Sequence, residues 1–422
     1  MKNWKAEMTD PQNRTALDQS DSRLRQDQGV AGALRGFIDR VRSGDLGILP
    51  VVIGLILIAT VFWSLNPIFL APNNLANLLF DAAAVGCISL GVVCVLMLGE
   101  IDLSIGSMSG LASAILGVVW VRMGLPVPLA ILVAVGAGAV MGFVYATLLN
   151  RFGMPSFVST LSGLLAMLGL QLYLLGGTGS INLPYASPMV RFGQIYVMPA
   201  WFSYLLALVP GAVMLALGLA RMRRRAAVNL SNPGGISVLL AKVAVLTLIL
   251  LGAVHYLNLG RGIPWMFGLF VLLVVIMQYA LTRTKWGRAM FAVGGNREAA
   301  RRSGINVNRI RISAFMLCSM LAALGGTLAA SRLASSSQQA GTGDVNLNAI
   351  AAAVIGGTSL FGGRGSAWSA LLGVIVIQAI SNGLTLLNLS SSLRYMITGA
   401  VLAIAVIVDS LARRSRASHG RA

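Results

Sequence analysis

Apolar runs of about twenty residues, separated by short polar or charged breaks, recur along nearly the whole chain beyond residue 46. A helix of that length spans the roughly 30 Å hydrocarbon core of a bilayer, so each run reads as a crossing. The pattern predicts spans at 47–65, 82–98, 105–122, 127–149, 158–176, 199–219, 238–257, 264–282, 311–331, 349–363, 367–388 and 393–410. The expected fold is an all-α polytopic membrane protein of about 10–12 transmembrane segments. The segment at 349–363 is short and broken by glycine, and a tilted span, a half helix and a re-entrant loop all fit it.

Two further patterns refine this. Gly106, Gly110 and Gly117 recur on one predicted helix and Gly136, Gly138 and Gly142 on the next; small residues of this kind let helices approach closely in lipid. Gly106-Ser107 opens GSMSGLASAILG, and Gly365-Ser366 opens GSAWSALLGVIV in the same direction, each after a broken polar stretch. This similarity points to an internal repeat, an arrangement that in transporters places the substrate path between the halves.

Composition agrees with a membrane class. The chain is 56% hydrophobic and 11% charged, against about 25% charged in soluble domains. Its net charge of +19 is no nucleic-acid footprint, because the charge sits in loops between spans. With the N-terminus inside and 349–363 counted as a crossing, the inner loops and tails hold 26 Lys and Arg and the outer loops 5, while Lys242 sits just within a span, where it can snorkel. Both termini are therefore expected to be cytoplasmic. Residues 1–45 carry eight basic and seven acidic side chains and no apolar run. They read as a partly disordered cytoplasmic tail with a surface helix near Ala31–Arg42, not as a cleavable signal peptide. A transmembrane domain over 46–411 and a basic cytoplasmic tail over 412–422 complete the expected organisation.

Enzyme chemistry finds little support. None of the four lysines follows a glycine, so no phosphate-binding P-loop exists and ATP is not expected to bind this chain that way. Two histidines, and cysteines at 87, 94 and 318 without CxxC spacing, offer no metal site. The cysteines read as small packing residues. Outside the N-terminal tail there are six acids, mostly at predicted span ends, which counts against a proton-driven carrier.

Two stretches carry candidate function. Gly99–Ser107 contains Glu100, Asp102, Ser104, Gly106 and Ser107 and links two spans. Asp102 or Ser104 is expected to accept backbone N–H bonds at the start of the next helix, a reading favoured over a polar contact in a transport path. The second, 282–311, holds eight Lys or Arg and one acid, Glu298. Within it Gly294, Gly295, Asn296, Arg297, Glu298, Ala299, Ala300, Arg301, Arg302 and Gly304 predict one short helix between two glycine hinges. Asn296 caps it, Glu298 lies in the first turn, Arg301 and Arg302 in the last, and Gly304 follows the end. Such a helix is too short to be stable alone in water and needs a partner surface. Ala299 and Ala300 give the low-profile face a partner groove accepts. The alternative is a basic loop lying on anionic membrane lipid.

Three motifs in order, EIDLSIGS (100–107), VGGNREAARRSGINV (293–307) and IAAAVIGGTSLFGGRGS (350–366), resemble the permease subunits of bacterial ABC importers for monosaccharides, the ribose and D-xylose systems among them. The resemblance runs from about Asn74 to Asp409. It is closer to the D-xylose type, which shares Glu100 before IDLS and an extra segment at about 199–257 holding the RMRRR cluster. The resemblance implies a bacterial inner-membrane protein with no cofactor of its own. It implies a pore of two copies, a separate ATPase that binds ATP and Mg beneath, and a periplasmic sugar-binding protein above. The helix at Asn296–Gly304 would be the coupling helix seated in the ATPase, and the broken stretch with Gly356, Gly357, Thr358, Ser359, Gly362 and Gly363 part of the gate or path. Gln171, Tyr173, Asn182, Gln378 and Asn382 are candidate sugar contacts by residue type. An independent secondary carrier or channel for a small polar solute is the competing reading, and a membrane-embedded enzyme a remote third.

Overall fold

Helix α2 (Pro72–Met97) lies at the centre of its unit of the chain, and every residue from Leu90 to Met97 is buried. It begins ten residues before the predicted span because Pro72 sets its first turn. The polar residues that hid this start are paired in the fold: Asn74 with Asn382, Asn77 with Arg261, and Asp81 with Arg332. The computed structural model describes residues 49–227 and 235–400 apart from 391, together with 403 and 407. The N-terminal tail with its expected surface helix, the basic tail at 412–422 and much of the predicted span at 393–410 lie outside these residues.

Along the chain follow α1 (Leu49–Leu65), α2, α3 (Ile105–Leu116, prolonged by a wider turn to Arg122), α4 (Val127–Arg151), α5 (Ser156–Leu175), β1 (Ser180–Asn182), α6 (Pro188–Gln194), α7 (Ala200–Ala226) and α8 (Gly235–Asn258). Then come α9 (Trp265–Arg283), α10 (Lys285–Gly295), α11 (Arg297–Arg302), α12 (Val307–Leu333), β2 (Ser335–Ser337), α13 (Val345–Ile355) and α14 (Ala367–Leu386). Among the described residues nine helices are long and apolar enough to cross a membrane, and α1 and α13 are shorter apolar helices. Large apolar side chains such as Leu132, Leu165 and Leu272 stay exposed, as lipid-facing positions must.

The chain divides into two units. In one, Trp201–His255 among the described residues, α7 and α8 form a hairpin. Gly218 lies against Leu239, and the Tyr204 hydroxyl and His255 Nδ1 share a hydrogen bond of 2.9 Å. This unit coincides with the extra segment expected at about 199–257.

In the other unit α12 packs along α4, α2 and α3, while α2 also meets α9, α13 and α14. Close approach is made by glycine, as expected for Gly138 and Gly142, which rest on the backbone of Ser319 and Phe315 in α12. Gly136 does not share that face; nothing lies within 4 Å of where its Cβ would be. Two residues turn a helix by about 200°, so Gly136 and Gly138 point to opposite sides. On α3, Gly106 and Gly110 instead receive a stretch of chain that is not helical: Gly341 and Ala340 lie against them.

That stretch is the unforeseen feature of the fold. After α12 the chain pairs the short strand β2 with β1 in antiparallel register (Ser180 opposite Ser337), and continues past α3 to Asp344 through turns. Irregular backbone inside a membrane domain needs partners for its polar groups. Gln171 supplies them, its Nε2 donating to the carbonyls of Ser337 and Ala340 at 2.9 and 3.0 Å. The eleven-residue α13 then ends at Ile355. It is about 16 Å long, half of a crossing, so the half-helix reading of 349–363 applies, and the tilted span does not.

Candidate coupling site

The basic stretch 282–311 contains two helices where one was expected. Thr284 opens α10 by accepting the Gly287 N–H at 3.1 Å. The buried Met290 and Val293 anchor α10 to the core. Asn296 closes α10 and caps α11, its Oδ1 accepting the Ala299 N–H at 3.0 Å. Glu298 lies in the first turn of α11, Arg301 and Arg302 in the last, and Gly304 follows in the left-handed region at φ +82°, each where the capping pattern put it.

Two expectations need correction. Gly294 and Gly295 are not a hinge; both are helical and complete α10. The apolar anchor at Met290 and Val293 holds the helix together up to Asn296, which breaks it. Gly294 lies directly on the Met97 carbonyl, whereas Gly295 faces open space. Ala300 is also not part of an outward face, being 3% exposed and packed into this chain's own core. The outward surface of α11 is Ala299, Arg301 and Arg302, with Glu298 bridging both arginines at 3.2 Å.

Beside α11 sits a charge cluster. Arg297 donates from Nη2 to Glu100 Oε1 at 2.6 Å and to the Leu98 carbonyl at 3.3 Å. Arg311 approaches the same Glu100 oxygen at 3.4 Å from the second turn of α12. Glu100 is buried, Arg311 nearly so, and Arg297 is half-exposed. An open cleft of about 530 Å³ adjoins them, with Ser156 and Phe157 on its wall.

The loop after Glu100 enters the domain, with Ser156 Oγ accepting the Ile101 N–H and Thr160 Oγ1 the Leu103 N–H. Asp102 is buried and takes the N–H and O–H of Ser104 at 2.8 and 2.6 Å on Oδ1, leaving Oδ2 without a partner. Burial pushes its carboxyl above the ordinary carboxylate range, against the pull of the Ser104 bonds. The expected cap is thus corrected. Asp102 holds the residue before α3, Ser104 makes no side-chain cap, and the Gly106 N–H of the first turn is taken by Asn346 Oδ1 from α13. Ser107 donates back to the Ser104 carbonyl at 2.8 Å.

The residues just before EIDLSIGS meet the other two motifs at this end, backbone on backbone. The Gly363 N–H donates to the Met97 carbonyl at 2.9 Å, Gly294 rests on that same carbonyl, and Gly99 lies against Phe361 and Gly362. The turn that makes this possible holds Gly357, Gly362 and Gly363 at positive φ, where a side chain is strained. Gly356 sits on the Ser369 backbone, Thr358 is buried, and the Ser359 N–H donates to the Arg364 carbonyl.

The residues expected to line a substrate path do not converge. Gln171 braces the non-helical stretch described above, and Asn182 stands on β1 opposite Ser335. Tyr173 is 82% exposed on the outside of α5. Gln378 donates to the Asp81 carbonyl, and Asn382 exchanges two hydrogen bonds with Asn74, so both face α2. Arg311, counted in the sequence only among the basic residues of 282–311, and Asn346, unnoticed there, complete this end of the fold. No local pattern marks either, since their partners lie 211 and 240 positions away.

A bundle of apolar helices, with a short basic helix locked to its core at one end, defines a multi-pass membrane transport protein. The chain belongs to the family described as branched-chain amino acid transport system / permease component, which matches residues 74–406. It is 34% identical over 380 residues to the xylose transport system permease protein XylH of Escherichia coli K12, covering 90% of this chain and 95% of that one. It is 33% identical over 367 residues to XylH of Haemophilus influenzae, covering 86% of this chain and 96% of that protein. To the ribose import permease protein RbsC of Escherichia coli K12 it is 29% identical over 360 residues, or 85% of this chain and 92% of that one. No solved structure matches the chain.

Proposed function

We propose that this chain is the membrane-spanning permease subunit of an ABC importer that moves a monosaccharide, D-xylose, inward. The energy comes from ATP and Mg held by a separate ATPase, and this chain is no enzyme and carries no cofactor. Two copies form the pore in the bacterial inner membrane, with both termini cytoplasmic. A periplasmic sugar-binding protein delivers the cargo. Similarity to xylose permeases over most of the chain supports the substrate, and the tally of 26 inner against 5 outer basic residues supports the sidedness.

The observation that carries the mechanism is the junction of Gly294, Met97 and Gly363. A short basic helix on a flexible loop would absorb a push. Here α11 follows directly on α10, α10 is seated on the end of α2, and the Gly356–Gly363 turn is bonded to the same carbonyl. Movement of the ATPase against Arg301 and Arg302 therefore reaches α2 and α13 as a rigid displacement.

The test is uptake of labelled D-xylose by cells without pentose carriers of their own, expressing this chain with its ATPase and binding protein, and then without the ATPase. Uptake that needs all three, and that excess ribose does not displace, is the expected result. Uptake that persists without the ATPase would establish an independent carrier instead. ATPase-dependent uptake of another sugar would keep the mechanism and remove the xylose assignment.

A further inference from the structure

The non-helical stretch along α3 leads to a cavity that the coupling machinery does not use. Its volume is about 150 Å³, the order of void that takes up a six-membered ring such as benzene. Its polar wall is Asp344 and Asn348 at the start of α13, Ser381 on α14, and Arg394, Tyr395 and Thr398 from the helical stretch 392–400. The rest of the wall is aliphatic, from α14. Ser381 stands one position from Asn382, and that step turns it off the face where Asn382 meets Asn74.

The hydrogen bonding of this wall is incomplete. Asp344 Oδ2 accepts the Asn348 amide at 3.1 Å, while Asn348 Oδ1 is buried and has no partner. Arg394 and Asp344 line the same space, yet neither forms a salt bridge among the described residues. A cation would meet the guanidinium and an anion the carboxylate, so neither is favoured. A neutral solute with several hydroxyls, each both donor and acceptor, matches the carboxylate, the guanidinium and the hydroxyls of Ser381 and Thr398 together. The Tyr395 ring adds an apolar face beside them.

We propose that this cavity is a binding site for a neutral polyhydroxyl solute of monosaccharide size, held by Asp344, Asn348 and Arg394 beside Tyr395, so that the permease itself discriminates among cargoes. The proposal rests on the transport reading only for the choice of probe sugar. It also gives α13 a mechanical role. Its first turn forms the cavity wall, and its last residue leads into the turn bonded to Met97. A shift at the coupling end therefore moves Asp344 and Asn348 as one rod.

The experiment measures equilibrium binding of labelled D-xylose to the full-length chain in lipid nanodiscs, without ATPase or binding protein. Asp344→Asn, Arg394→Gln and the smaller changes Ser381→Ala and Thr398→Val are compared, with melting temperatures as a folding control. Weak binding, competed by xylitol but not by sodium acetate, and weakened about tenfold or more in Asp344→Asn and Arg394→Gln, is expected. Should either charged variant fail to fold, Ser381→Ala and Thr398→Val must each still weaken binding. Wild-type binding in all folded variants, or no binding to the wild type, overturns the proposal. No binding to the wild type in nanodiscs, with ATPase-dependent uptake intact, sinks the cavity and spares the permease reading. Uptake that persists without the ATPase sinks that reading and leaves the binding result standing.

Discussion

Glu100 and Arg297 meet at 2.6 Å across 197 positions of sequence. The contact ties the loop after α2 to Arg297, the first residue of α11. Arg311 reaches the same carboxylate oxygen at 3.4 Å, so one buried anion holds two cations from different helices.

Removing that anion is expected to cost more than removing either cation. Breaking a buried ion pair costs about 3–5 kcal/mol. Because Arg297 is 46% exposed, solvent offsets part of this, and Glu100→Gln should destabilise by about 1–3 kcal/mol. Arg297→Gln leaves Glu100 paired with Arg311 and should cost less than about 1 kcal/mol. Thermal unfolding of the detergent-solubilised chain measures both. A larger loss for Arg297→Gln would show that Arg311 does not share the carboxylate.

Gly294→Ala and Gly295→Ala form a matched pair. A Cβ at Gly294 would drive into the Met97 carbonyl, while at Gly295 it meets nothing within 4 Å. The first should cost about 1–3 kcal/mol by overpacking and impair transport. The second should be neutral or gain up to about 1 kcal/mol, as alanine for glycine does in a helix. Equal behaviour of the two would sink the idea that α10 is seated on α2.

The double reversal Arg301→Glu, Arg302→Glu separates coupling from folding. Both side chains are mostly exposed, at 73% and 79%, and among the described residues their ion pairs are with Glu298. The stability change should stay under about 1 kcal/mol. ATPase-dependent sugar uptake should fall sharply, and a double variant that transports normally would remove the docking role from α11.

Asn346→Ala tests the cap supplied from a distance. It leaves the Gly106 N–H without its acceptor and should cost about 0.5–2 kcal/mol, the range for loss of a helix cap. Asn346→Asp keeps an acceptor at a helix start and should lose less. Melting curves of the two variants, read side by side, decide it.

Much of this was legible in the sequence for local reasons. Helix positions followed from runs of apolar residues, and the cap at Asn296, the first-turn Glu298 and the left-handed Gly304 followed from interactions within four residues. The errors were of another kind. Pro72 starts a helix whose polar first turns looked like loop until Asn382, Arg261 and Arg332 supplied partners. Gly294 and Gly295 looked like a hinge until Met97 lay beneath one of them.

The sequence by itself determined the apolar helices, the polar breaks between them, the basic stretch with its short capped helix, and the absence of a P-loop. Each depends on composition or on near neighbours. Tertiary structure decided which glycines face a partner, that non-helical chain runs along α3, that α13 stops half way, and that Gly99, Gly294 and Gly363 share one junction. In lipid, helices are apolar on their outer as well as their inner faces, so hydrophobic periodicity does not say which side packs. That information lies in the fit of one backbone against another.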